Sequence, residues 1–189
     1  MGIYVYVVYQ YDADISLWLS PPYLRKMSGD EEQIRKKITD PNLALSKIES
    51  WCAYQERCQQ ETRDKLYSWG LWTDAVDSII IELITKNFLN EERFANAYAG
   101  GKFRIMKWGR AKIKVELRKR HIPEGMIRNA LVQIDSDDYV AVLNKILVAK
   151  WKAEKEKNKL KKKMKVIRYL TSRGYELDLI NESIEKLLE

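Results

Sequence analysis

Apolar positions recur along this chain at a fixed separation. Leu66, Gly70, Leu71, Val76, Ile80 and Leu83 are matched 51 residues later by Leu117, His121, Ile122, Ile127, Leu131 and Ile134, and 104 residues later by Leu170, Gly174, Tyr175, Ile180, Ile184 and Leu187. Every position keeps its character except one, where His stands for Gly. Steps of three and four between apolar positions are the period of an amphipathic helix, and Gly just past a last turn most easily takes the left-handed C-terminal conformation. Each unit therefore closes as helix, sharp stop, helix.

A preceding helix can be traced in each unit. Leu45, Ile48 and Cys52 form an apolar stripe in the first, Phe94, Ala97, Tyr98, Gly101 and Ile105 in the second, and Tyr139, Val142, Leu143, Ile146 and Leu147 in the third. Thr39-Asp40-Pro41 and Asn90-Glu91-Glu92 signal starts, a capping side chain followed by Pro or by acids in the first turn. The expected fold is all-α, a tandem array of three three-helix repeats, elongated and curved, at residues 39–87, 88–135 and 136–189, behind an N-terminal appendage at 1–38. Residues 3–11 of that appendage carry the β-branched and aromatic side chains of a strand, and Pro21-Pro22 breaks what precedes it. A lone strand is unstable in water. Met27, which opens a polar run, is an alternative start for the functional protein, and an intact mass of the natively expressed protein tests it.

The repeat resolves one ambiguity. Residues 111–117, AKIKVEL, alternate apolar and polar like a strand, yet by register they correspond to residues 60–66 and 164–170, which are helical. As a helix, Ile113 and Leu117 share the core face, like Thr62 with Leu66 and Val166 with Leu170. Val115 points nearly opposite Ile113, as Asp64 and Arg168 do in the other units. Lys112, Val115, Arg118 and Lys119 are thus expected on an outward face. Lys102, Arg104, Lys107 and Arg110 continue the positive run through the preceding turn, where Trp108 can pack or stack and Gly109 turns the chain.

Charge is segregated to match. Residues 100–168 hold 21 Lys/Arg and 7 Asp/Glu, a net +14, while the rest of the chain holds 13 and 20, a net −7. Such a face attracts polyanions, and phosphates that release counterions on binding make nucleic acid a natural partner, with an acidic protein surface as the alternative. An apolar share of 46% suffices for a core. No apolar run approaches the ~20 residues of a membrane span. The first residues lack the basic start and cleavage site of a secretory signal, so a cytoplasmic location is expected by default.

Enzymatic chemistry finds no footing. Cys52 and Cys58, with the single His121, cannot complete a four-ligand zinc site and are expected as reduced packing residues. Gly100-Gly101-Lys102 is followed by Phe103, not by the Ser or Thr of a phosphate-binding loop, and reads as a kink or a close helix contact. His121 occupies the helix-stop position, and His tolerates positive φ better than most residues. Asp30-Glu31-Glu32 and Asp135-Ser136-Asp137-Asp138 read as linker and helix-start features. Trp51, Trp69, Trp72, Trp108 and Trp151 fall near helix ends, where core packing is favoured over base stacking.

Residues 89–131, LNEERFANAYAGGKFRIMKWGRAKIKVELRKRHIPEGMIRNAL, resemble the RecX family of bacterial recombination regulators. The first unit's ETRDKLYSWGLWTDAVDSIIIELITKNF and the third's RYLTSRGYELDLI fit the same pattern, over about residues 43–188. The resemblance implies an array of three-helix repeats that binds the RecA recombinase, mainly as its filament on DNA, lies in the filament's groove, and restrains ATP hydrolysis and strand exchange. It also implies DNA affinity of its own and no catalytic residue; single- and double-stranded DNA are the expected further partners, with no cofactor and a monomeric chain. Two departures are His121 in place of Gly and residues 1–26, which have no counterpart in the family pattern. The expected contact residues for DNA or RecA are Lys102, Arg104, Lys107, Trp108, Arg110, Lys112, Val115, Arg118 and Lys119.

Overall fold

The computed structural model describes residues 37–188, and the strand, the Pro-Pro break and the alternative start expected in residues 1–36 lie outside them. Among the described residues there are nine helices and no strand. These are α1 (Pro41–Tyr54), α2 (Gln59–Trp69), α3 (Thr73–Thr85), α4 (Glu91–Arg104), α5 (Arg110–Lys119), α6 (Glu124–Val132), α7 (Ser136–Ala153), α8 (Lys159–Ser172) and α9 (Leu177–Leu188). They follow as a tandem array of three-helix repeats.

Both helix starts expected from sequence are formed. The Asp40 carboxylate accepts from Asn42 N–H at 3.0 Å ahead of Pro41. The Asn90 side chain accepts from Arg93 N–H at 2.9 Å ahead of Glu91 and Glu92. Asp135 and Asn158 cap α7 and α8 in the same way.

The recurrent Leu-x-x-x-Gly-Leu pattern is the imprint of one helix stop. Leu71 N–H reaches Leu66 O at 3.4 Å and Gly70 N–H reaches Tyr67 O at 2.9 Å. Ile122 bonds to Leu117 and His121 to Arg118, then Tyr175 to Leu170 and Gly174 to Thr171, in the same six-to-one and five-to-two pairing. Gly70, His121 and Gly174 have φ of 96°, 59° and 90°. Asn87 (φ 60°) ends α3 with a fourth copy, Phe88 to Leu83. Because the motif folds the residue after the stop back onto the helix, the pairs Leu66/Leu71, Leu117/Ile122 and Leu170/Tyr175 are all buried.

Residues 111–117 lie within α5, with Ile113 and Leu117 buried and Val115 exposed. Thr62/Leu66 and Val166/Leu170 are buried in the equivalent places. The first-helix stripes need correction. In α4 the buried positions are Phe94, Ala95, Tyr98, Ala99 and Phe103, whereas Ala97 is exposed and Ile105, past the helix end, is half exposed. Ala and Gly line α4 on two faces, so the pattern could not choose between them. In α1, likewise, Ala44 is buried where Leu45 was expected.

The described residues form two compact units. One comprises residues 37–55 and Thr62–Phe88. Its core is Ala44, Ile48, Cys52, Leu66, Val76, Ile80 and Leu83, held at the surface by ion pairs Arg63–Asp77 and Lys86–Glu49. The other comprises Glu56–Glu61 and residues 89–188, around a core that runs from Phe94 and Tyr98 through Leu117, Tyr139 and Leu143 to Tyr175 and Ile184.

Candidate functional site

The basic surface is organised by the start of α5, which has no side-chain cap of its own. A helix start leaves its first N–H groups without intrahelical partners. Here the α8–α9 turn and α7 supply acceptors. Gly109 N–H donates to Arg173 O at 2.8 Å, Arg110 N–H to the Tyr139 hydroxyl at 2.9 Å, and Ala111 N–H to Gly174 O at 3.1 Å. The Tyr139 hydroxyl donates to the Glu176 carboxylate at 2.7 Å, so its oxygen is left to accept from Arg110. Burial, first, and the Glu176 carboxylate hold the Tyr139 pKa well above the ordinary phenol value.

Gly109 does not turn the chain. Its φ is −76°, and the left-handed residue of the turn is Lys107, at 54°. Glycine is required because the backbones touch. A Cβ on Gly109 would lie 2.1 Å from Gly174 O, and one on Gly174 would lie 2.3 Å from the Lys112 Cβ. The turn before α5 is held from the same side, by the Arg173 guanidinium on Met106 O at 2.9 Å and the Tyr175 hydroxyl on Lys107 O at 3.1 Å.

The expected contact residues separate into groups on this frame. Trp108 is half-buried against the core, with the Lys102 and Lys112 ammoniums 5.1 and 4.4 Å from its ring centre. Those three form one cluster. Arg104 is exposed, its guanidinium folded over Gly100, and the Lys107 ammonium turns back to Arg104 O at 2.6 Å. Val115 is exposed between Arg118, which pairs with Glu124, and Lys119, which pairs with Glu116 at 2.8 Å. Arg110 alone points inward, donating to Ile134 O at 2.9 Å with its guanidinium 4.3 Å from the Tyr139 ring.

The carboxylates beside these cations respond. The Arg118 hydrogen bond, chiefly, holds Glu124 below the ordinary carboxylate range. For Glu116, burial raises the pKa, but hydrogen bonds from Lys119 and Arg120 outweigh it and the net shift is downward. Of the kink or close helix contact expected at Gly100 and Gly101, the contact is not made. A Cβ on Gly101 would meet nothing, and one on Gly100 only the flexible end of Arg104. Trp72, expected to pack, is 53% exposed.

Residues 56–61 bring pairings that sequence reasoning missed, around a cysteine it expected to pack in the core. Cys58 is wholly buried in the same core as Phe94 and Leu117, and burial pushes its thiol up to about 12. Arg93 pairs with Glu56 at 2.6 Å, Arg120 with Glu61 at 3.0 Å, Gln59 N–H donates to Glu91 at 2.7 Å, and the His121 ring bonds to Gln60 at 2.9 Å. Arg120 also lies 4.8 Å from the Tyr98 ring centre. His121 is therefore a helix stop with a side-chain bond, as its register implied. Cys52 and Cys58 are not joined by a disulfide. The signal for Arg120 and Arg173 was their place immediately before the stop residue in two repeats.

Comparison with known proteins matches two family models, "RecX, second three-helix domain" over residues 90–131 and "RecX, third three-helix domain" over residues 137–184. A regulatory protein RecX of Clostridium perfringens is 27% identical over 191 residues, covering 99% of this chain and 89% of its own. That alignment runs through residues 1–26, for which no counterpart was expected. Among solved structures, a crystal structure of regulatory protein RecX superposes with a TM-score of 0.71 at 19% identity, over 77% of this chain and 71% of that one. RecX from Lactobacillus salivarius superposes with a TM-score of 0.69 at 22% identity, over 78% of this chain and 96% of that one. At these identities the two structures show a shared fold. No helix among the described residues is long and apolar enough to cross a membrane.

Proposed function

The chain belongs to the RecX family, and from that membership we propose that it regulates the RecA recombinase, binding RecA and its filament on DNA and restraining ATP hydrolysis and strand exchange in repair and recombination. The observation that carries this reading is the alignment of 99% of the chain with a regulatory protein RecX. The family and the all-helical fold point to no catalytic chemistry, so the work is done by a surface.

In this reading the Lys102–Trp108–Lys112 cluster is the centre of the contact. Ammoniums near an indole ring are held in place by its quadrupole and keep protons to offer to phosphate or carboxylate oxygens. Arg104, Lys107, Arg118 and Lys119 extend the positive field, and Val115 adds apolar contact. Arg110 serves indirectly, fixing the start of α5 against Tyr139 and Ile134. The protein acts as a monomer in the cytoplasm, where the filament forms.

The test is a titration into a RecA–single-stranded-DNA ATPase assay. Inhibition well below one molecule per RecA is expected, weakened in a Lys102→Ala/Arg104→Ala/Lys107→Ala/Lys112→Ala variant. An ATPase unaffected by a protein that binds free DNA tightly would support a second reading, a plain nucleic-acid-binding repeat protein. That reading is favoured by the net +14 of residues 100–168 alone.

A further inference from the structure

We propose that the first two turns of α8, with the turn that precedes them, form a nucleic-acid contact separate from the α5 surface, taking the phosphodiester backbone as ligand. The helix barely packs there. From Lys159 to Lys165 no side chain of α8 is buried, Leu160 is 69% and Met164 54% exposed, and burial begins at Val166. Nearby cations divide sharply into tied and untied. Lys165 pairs with Glu154 and Glu156 at 3.4 and 3.2 Å, Lys150 pairs with Glu154 at 3.3 Å, and Lys162 lies 5.1 Å from the Trp151 ring centre. These bonds fix the α7–α8 turn. Lys155, Lys157, Lys159, Lys161, Lys163 and Arg168 have no carboxylate or aromatic partner among the described residues, and all but the half-buried Lys163 are exposed.

On the α5 side, by contrast, most of the expected cations are bonded within the protein, so the untied positive charge is concentrated at α8. Lys161 and Arg168, two turns apart, share the face opposite Val166 and Leu170. Cations crowded at the positive end of a helix dipole repel it, a cost that an arriving anion relieves.

The chemistry of the patch selects the occupant. The untied cations of these turns, Lys155, Lys157, Lys159, Lys161 and Lys163, are all Lys, compact point charges suited to neutralising phosphates irrespective of base, whereas protein interfaces are enriched in Arg and depleted in Lys. Leu160 and Met164 make too narrow an apolar strip for a helix lying in a membrane surface, which inserts a whole apolar face.

The experiment compares the full-length chain with its Lys157→Gln/Lys159→Gln/Lys161→Gln/Lys163→Gln variant, measuring anisotropy of a fluorescent oligothymidylate across a salt series. Each neutralised single-strand phosphate contributes roughly 0.7 to the slope of log K against log salt, so the slope should fall by up to about 3 and affinity at physiological salt by tenfold or more. The matching Lys→Arg variant, which keeps the charge, should restore both. None of the four side chains is buried or paired, so helicity and unfolding temperature should not change; if the fourfold variant unfolds, Lys157→Gln/Lys161→Gln should still lower the slope by up to about 1.4. An unchanged slope in a folded variant overturns the proposal. So does full DNA affinity accompanied by lost binding to phosphatidylglycerol vesicles or to a polyglutamate peptide, which assigns the patch to a membrane or a protein. The proposal does not rest on RecA: a reduced slope upholds it whether or not RecA's ATPase responds.

Discussion

Gly109→Ala tests whether the start of α5 is held by backbone contact with the α8–α9 turn. The new Cβ would sit 2.1 Å from Gly174 O and 2.4 Å from Tyr175 N, both backbone atoms that no rotamer change can move aside. The two segments must part by about 1 Å or more to reach ordinary contact. That stretches the Gly109–Arg173 and Ala111–Gly174 hydrogen bonds, now 2.8 and 3.1 Å. Losing both costs about 1 kcal/mol each, and the overpacking adds 1–3 kcal/mol, against about 0.4–1 kcal/mol returned by the stiffer unfolded chain. A net loss of about 3 kcal/mol follows, which for a chain of this size lowers the midpoint by roughly 6–12 °C. Thermal unfolding by circular dichroism reads it, and faster amide exchange at Gly109 and Ala111 locates it. Gly101→Ala is the control, a helical glycine whose Cβ meets nothing, and it should raise stability by about 1 kcal/mol. If Gly109→Ala lies within 0.5 kcal/mol of the unsubstituted chain, the backbone contact is not what fixes α5.

Two further predictions concern residues around the same helix. His121→Val places a β-branched residue at φ 59° and removes the bond to Gln60, and it should destabilise by about 1–3 kcal/mol while His121→Gly stays within 1 kcal/mol, as urea unfolding would measure. Glu116 has a folded pKa below its unfolded value, so its contribution is present above about pH 4.5 and disappears as pH falls through the folded pKa. Glu116→Gln should therefore cost about 0.5–1 kcal/mol at pH 7 and nothing in strong acid, and a deficit that persists at low pH would contradict the assignment to charge.

Much of the fold was legible because the helix stop imposes a strict local grammar. A left-handed residue flanked by two apolar positions is hard to replace, so Leu66, Leu117 and Leu170 kept register across the repeats, and the register made a helix of AKIKVEL. The first helices were less legible: on α4 Ala95 and Ala99 lie on one face and Ala97 and Gly101 on the other, and only Phe103 breaks the tie. The candidate surface was legible in composition but not in pairing. Nothing local distinguishes Arg110, turned into the core by Tyr139, from Arg104, which stays in solvent. Those partners are 24 to 29 residues away in the chain.

The same joint recurs with different chemistry, and this accounts for the odd residue in the repeat. Adding 51 to Gln59 gives Arg110, and both are the first residue of their helix. Arg110 N–H donates to a side chain from the first helix of the next repeat, Tyr139, and Gln59 N–H does the same to Glu91. Ala111 then reaches the helix stop at Gly174 through its backbone, whereas its equivalent Gln60 reaches the helix stop at His121 through its side chain. Where two glycine backbones touch, a side chain at the stop has no room, and Gly174 cannot be His. Where Cys58 takes the place of Gly109, the contact is made by side chains, and the stop at 121 can carry an imidazole that bonds Gln60. The pair Cys58/His121 is thus the counterpart of Gly109/Gly174. The Gln60–His121 side-chain bond stands where the Ala111–Gly174 backbone bond stands in the next repeat, and a double-mutant cycle on Gln60 and His121 should detect a coupling of about 0.5 kcal/mol or more.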